Sequence, residues 1–122
     1  MVIGTGIDII EVTRISAAAQ RSNFVERIFT KAEQAYFERM HFNPQTIAGT
    51  FAAKEATAKA LAVGFSGVGW KDIEILRDEN GKPYTVLTCG ALARMNELGG
   101  KVVHISISHI KELAVSQAIL ED

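Results

Sequence analysis

Val2-Ile3-Gly4-Thr5-Gly6-Ile7-Asp8-Ile9-Ile10 sets one aspartate in a run of β-branched apolar residues. The run reads as a buried strand over 2–12, in which Gly4 and Gly6 permit a bend or the close approach of another backbone. A carboxylate in that setting has few neighbours to solvate it. Burying its charge is costly unless something pairs with it, and a bound cation is one such partner. A second stretch, Phe51-Ala52-Ala53-Lys54-Glu55-Ala56-Thr57-Ala58-Lys59, has helical composition and places Glu55 and Lys59 four apart, on one face. Two acids and an amine able to converge point to a magnesium site that handles phosphates.

Outward from these stretches the signals alternate between helix and strand. Thr13 is expected to cap a short helix running to residues 19–20. Thr30-Lys31-Ala32-Glu33 matches a capping box and opens a helix over 31–40, with Tyr36, Phe37 and Met40 at packing spacings. Asn43-Pro44 pairs a cap with a first-turn proline, starting an alanine-rich helix over 44–63 that is expected to end ahead of Gly64. Its alanines favour helix at each position and keep its sides thin. Strands over 72–77 and 82–88 flank Asn80-Gly81, a tight-turn signal in which both residues tolerate positive φ. A helix over 89–98 stops at Gly99-Gly100, and strands over 102–108 and 113–120 close the chain. The fold class is α+β: one domain over 1–122, with the long alanine-rich helix packed on a mostly antiparallel sheet.

Composition bounds the function. At 122 residues, 48% hydrophobic and 22% charged, the chain has the make-up of an ordinary globular domain. A net charge of −1 argues against nucleic acid or a membrane surface as a bulk electrostatic partner. The one cysteine, Cys89, excludes an internal disulfide and a multi-cysteine metal site. No segment has transmembrane length and none has the layout of a signal peptide, so a cytoplasmic protein is expected.

Gly6-Ile7-Asp8-Ile9-Ile10-Glu11-Val12 with Arg14, then Phe51-Ala52-Ala53-Lys54-Glu55-Ala56 with Lys59-Ala60-Leu61, resemble the holo-[acyl-carrier-protein] synthases, the small 4′-phosphopantetheinyl transferases. Trp70-Lys71-Asp72-Ile73-Glu74-Ile75, Asn80-Gly81-Lys82-Pro83 and His104-Ile105-Ser106-Ile107-Ser108-His109 continue the match in the same order across nearly the whole chain. The resemblance implies transfer of the phosphopantetheine arm of coenzyme A to a serine of a carrier protein, with release of adenosine 3′,5′-bisphosphate. It also implies a homotrimer with active sites at subunit interfaces.

By the same resemblance, Asp8 and Glu55 hold Mg²⁺, an ion that keeps waters and substrate phosphates in its shell, and Lys59 stabilises the same phosphate oxygens. The serine proton goes to Asp8 or to a metal-bound water, and the residue types favour neither. Lys54, Lys59, Gly64, Asn80, Gly81, Lys82, Pro83 and His109 are the expected contacts to coenzyme A. Arg14 and Arg21, seven apart on the first helix, are the expected docking cations for an acidic carrier.

Each assignment has a plainer counterpart. Glu55 and Lys59 also make an ordinary i,i+4 ion pair, Gly64 also ends a helix, Asn80-Gly81 also makes a turn, and two arginines on one face are common. One departure stands out. The residue before Phe51 is often arginine in the family and is read there as a phosphate contact, whereas here it is Thr50. Thr50→Arg is therefore expected to strengthen donor binding. Two further function classes fit part of the pattern: a non-catalytic carrier- or coenzyme-A-binding module, and another magnesium enzyme that cleaves nucleotide anhydrides.

Overall fold

Two glycines decide how the molecule packs. The computed structural model describes residues 1–21, 23–65 and 67–122, and it begins with strand β1 (Val2–Glu11). A Cβ at Gly4 would lie 2.2 Å from the carbonyl oxygen of Ala60, and one at Gly6 would lie 1.9 Å from that of Ala56. The bare backbone of β1 therefore lies directly against helix α4 (Pro44–Ala60), the central element of the fold. Eleven of the seventeen residues of α4 are buried, so the helix is covered on several sides and has no single apolar stripe. Its alanines serve this contact: what lies against the thin helix is the chain's own strand.

Between them run α1 (Val12–Ala19), α2 (Phe24–Ile28) and α3 (Lys31–Arg39). α1 begins at Val12, so Thr13 lies inside it, and Glu11 at the N-cap position makes no side-chain capping hydrogen bond. The capping box opening α3 forms as expected: Thr30 Oγ1 accepts from Glu33 N at 3.2 Å and Glu33 Oε1 accepts from Thr30 N at 2.8 Å. Asn43 caps α4 through Oδ1, which accepts from Thr46 N at 3.1 Å. The helix ends at Ala60, earlier than its composition suggests. The left-handed position beyond it is held by Ala62 (φ +54°), not by Gly64, while Val63 N donates back to Ala58 O.

The rest of the chain supplies β2 (Ile73–Arg77), β3 (Pro83–Leu87), α5 (Cys89–Glu97), β4 (Val102–His109) and β5 (Leu113–Glu121). β1, β5 and β4 form an antiparallel sheet in that order, with Asp8 opposite Ser116 and Ser106 opposite Gln117. β2 and β3 form a separate antiparallel hairpin. Its turn is wider than the Asn-Gly signal implies. Asp78 N donates to Lys82 O, and Asp78 Oδ1 accepts from the amides of Asn80 and Lys82, so residues 78–82 form one loop in which Gly81 alone takes positive φ (+81°). One face of the three-stranded sheet packs on α4. The other leaves Ile7 and Ile9 each 63% exposed, with Ile110 at 60%.

Candidate functional site

Alternation along β1 sends Gly4, Gly6, Asp8 and Ile10 toward the helix and Ile3, Thr5, Ile7 and Ile9 away from it. Asp8 is therefore not surrounded by the isoleucines beside it in the sequence, because they point to the opposite face. Its carboxylate meets Lys59 on α4, whose Nζ donates to Asp8 Oδ1 at 3.3 Å and to the carbonyl of Ile7 at 2.9 Å. Glu55, one turn earlier on α4, completes the group. Burial pushes its carboxyl above the ordinary glutamate range, the Asp8 charge pushes it further, and Lys59 partly opposes both. An open depression of about 520 Å³ lined by Ile7, Asp8, Ile9, Lys59 and Val115 adjoins the cluster on the side of Asp8 and Lys59. A larger cavity, about 640 Å³, is elsewhere, among α1, α2 and the start of α4, and Arg21 is on its wall.

Asp8, Glu55 and Lys59 thus come together, two carboxylates from two elements with one amine. Among the described residues no cluster of three or more His, Cys, Asp or Glu side chains could enclose a metal. Two carboxylates fit Mg²⁺, which is commonly held by one or two carboxylates and completed by water and phosphate oxygens, better than a zinc-type site with three or four protein ligands.

Lys54 is not at this site. Its side chain is fully buried, its Nζ lies 2.8 Å from Glu33 Oε1, and it donates to the carbonyls of Trp70 (3.0 Å) and Ile73. Three N–H groups meet three acceptors, and none is free for a ligand. Burial lowers its pKa, while Glu33 opposes that shift. Glu33 Oε2 also accepts from Ile75 N at 2.8 Å, so this pair ties α3, α4 and β2 together. Sequence reasoning gives Glu33 only its capping role, although a carboxylate at the third helical position with a spare oxygen is a signal for a second partner.

Thr50 is fully buried too. Its Oγ1 donates to Thr46 O and accepts from Arg77 Nη1 at 2.9 Å. An arginine at position 50 has no room there and would meet the Arg77 guanidinium, so Thr50→Arg is expected to destabilise the protein and not to strengthen donor binding.

The remaining positions are more dispersed. Asn80, Gly81 and Lys82 are exposed on the hairpin loop, Pro83 opens β3, His109 is exposed at the end of β4, and Gly64 is exposed beyond α4. Among the described residues no hydrogen bond or ion pair links them to the Asp8 cluster. Arg14 is exposed on α1, whereas Arg21 is beyond the end of that helix, so helical periodicity does not relate the two.

The model of the 4′-phosphopantetheinyl transferase superfamily matches residues 4–115. The chain belongs to this family. A holo-[acyl-carrier-protein] synthase of Alkaliphilus oremlandii is 52% identical over 120 residues, covering 98% of each chain. One of Clostridium novyi is 48% identical over 122 residues, covering 99% of this chain and 88% of its own. The crystal structure of a Bacillus anthracis holo-(acyl-carrier-protein) synthase in complex with CoA (3′,5′-ADP) superposes with a TM-score of 0.82 at 38% identity, covering 100% of this chain and 98% of that one. Membership makes the chain an enzyme of the holo-[acyl-carrier-protein] synthase type, with phosphopantetheinyl transfer as its activity.

Proposed function

We propose that the chain transfers 4′-phosphopantetheine from coenzyme A to a serine of an apo acyl-carrier protein in the cytoplasm, in support of fatty acid biosynthesis. The observation that carries this reading is the meeting of Asp8, Glu55 and Lys59 between β1 and α4.

The carrier serine Oγ attacks the phosphorus that bears the pantetheine arm. An O–P bond forms there, and the P–O bond to the second phosphoryl group breaks. The electron pair leaves on the oxygen retained by adenosine 3′,5′-bisphosphate, and the serine proton passes to a base, for which Asp8 is the chain's own candidate. Asp8 and Glu55 would hold Mg²⁺, which when bound supplies charge neutralisation for the diphosphate oxygens. Lys59 Nζ, already beside Asp8, is placed to shift to those oxygens. Gly64, the hairpin loop from Asn80 to Pro83, and His109 would contact the nucleotide, and Arg14 and Arg21 would orient the acidic carrier.

The apolar side chains left bare on β1 and on the turn between β4 and β5, with Ile7, Ile9 and Ile110 exposed, support assembly of several copies through that face. A homotrimer with active sites at its interfaces is the assembly we propose, and light scattering measures its mass.

Mixing the protein with coenzyme A, Mg²⁺ and an apo carrier should add one phosphopantetheine group to the carrier's intact mass. Asp8→Asn and Glu55→Gln should each remove most of the transfer while circular dichroism stays unchanged. Undiminished turnover in excess chelator would refute the magnesium assignment.

A further inference from the structure

Helix α4 ends one residue after Lys59, and part of what holds that end comes from α5. Thr57 O accepts from Leu61 N, Lys59 O from Ala62 N and Ala58 O from Val63 N, each at 3.0 Å. The carbonyl of Leu61 accepts from Arg94 Nε at 3.0 Å, across 33 positions of sequence. Arg94 is partly buried, and its Nη1 donates to the exposed carboxylate of Glu97 at 3.1 Å. A guanidinium at this place also meets the negative end of the helix.

The Leu61 carbonyl and the Ala62 amide belong to one peptide group, so that group is held at both ends: its N–H by Lys59 O, its oxygen by Arg94. The restraint matters because Ala62 takes φ +54°, the left-handed position that closes a helix and that glycine occupies without cost. A residue with a Cβ stays in that region only where its surroundings fix it. Ala62 is exposed, so its backbone bonds do the fixing and not the packing of its methyl group. α5 has a firm seat from which to act. Ala91 is fully buried in the same core as Leu61, and a Cβ at Gly90 would lie 2.6 Å from Gly67 O, so bare backbone of α5 lies against that carbonyl.

Lys59 stands in the turn that this peptide closes. Its side chain is 55% exposed, and the contacts that aim it are the bonds to Ile7 O and Asp8 Oδ1. Its placement therefore follows the backbone of the last turn. We propose that Arg94 is a positioning residue for the transfer reaction: by fixing the Leu61–Ala62 peptide it keeps the last turn of α4, and with it Lys59, in register with Asp8. The inference rests on the transferase reading above and adds to it a residue of α5, an element that supplies no group to the site.

Arg94→Met removes the donor at nearly constant length, whereas Arg94→Gln sets an amide nitrogen at the chain position of Nε. With folding checked by urea denaturation, Arg94→Met should lower kcat about tenfold and leave the KM for coenzyme A and for the carrier within about twofold. Arg94→Gln should recover most of that loss, and so should Ala62→Gly added to Arg94→Met, because glycine takes the left-handed turn unaided. In a Lys59→Met background, Arg94→Met should cost less than about twofold, since its effect passes through Lys59. Full kcat in Arg94→Met would overturn the proposal, as would an undiminished loss in the Lys59→Met background or no recovery with Ala62→Gly. Hydrogen exchange of the unaltered protein, read by peptide mass, needs no variant to fold. The amides of Ala62 and Val63 should be protected, and exchange as fast as in an unstructured peptide would also overturn the assignment. A protein that modifies its carrier at the same rate with and without Arg94 refutes this inference alone. One that never modifies a carrier, with those amides protected, refutes the transferase reading.

Discussion

Gly6→Ala is the smallest change that should separate the two halves of the site. The added Cβ would sit 1.9 Å from the carbonyl oxygen of Ala56 and 2.8 Å from the amide of Ala60. Ordinary contact begins at 3.4 Å, so α4 must retreat from β1 by about 1.5 Å at that point. Because the obstacle is backbone, shortening the side chain of Ala56 gives no relief. Overpacking of this kind costs about 1–3 kcal/mol, a large part of the roughly 5–15 kcal/mol that holds a domain folded. The effect on chemistry should be larger. Asp8 is two residues from the clash on β1, while Glu55 and Lys59 move with α4, and a misplacement of about 1 Å costs on the order of 10²-fold in rate. Urea denaturation and carrier-mass kinetics read the two effects separately. Gly4→Ala, whose Cβ would meet Ala60 O at 2.2 Å but four residues from Asp8, should lose similar stability with a smaller rate loss. A Gly6→Ala protein with wild-type stability and rate would show that β1 and α4 do not meet as described.

Three further outcomes are expected. Lys54→Met or Glu33→Gln alone should cost about 3–5 kcal/mol in urea denaturation, since each strands a buried group, and the double variant should lose less than the sum of the two. Arg14→Glu should raise the KM for an acidic carrier far more than that for coenzyme A and flatten the salt dependence of transfer; equal effects on both substrates would place Arg14 in a structural role. The raised pKa of Glu55 means that the folded state holds a proton which the unfolded chain releases at lower pH. Above the folded pKa the protein therefore carries an electrostatic cost that disappears as pH falls toward the ordinary value of 4.5. Chelator-treated protein should gain stability across that window, and Glu55→Gln should flatten this part of the curve.

Local chemistry makes much of the chain legible from its residues alone. The Thr30–Glu33 capping box and the Asn43 cap act over three residues, and the shared face of Glu55 and Lys59 follows from one helical turn, so the residues that cause each feature lie beside it in the sequence. The glycines of β1 also announce a close backbone approach. Which backbone comes close, and which side of the strand Asp8 faces, depends on elements some fifty residues away: Lys59 Nζ and Asp8 are 51 positions apart. Lys54 and Thr50 show the limit most clearly. In sequence, Lys54 looks like a cation available for phosphate, and Thr50 like an arginine gone missing. The tertiary structure buries the lysine against Glu33 and sets the guanidinium of Arg77, 27 positions away, against the threonine. Periodicity assigns residues to faces of their own element. Whether a charge on such a face meets water, a carboxylate or a ligand is decided by whatever packs against it, and that is a property of the assembled fold.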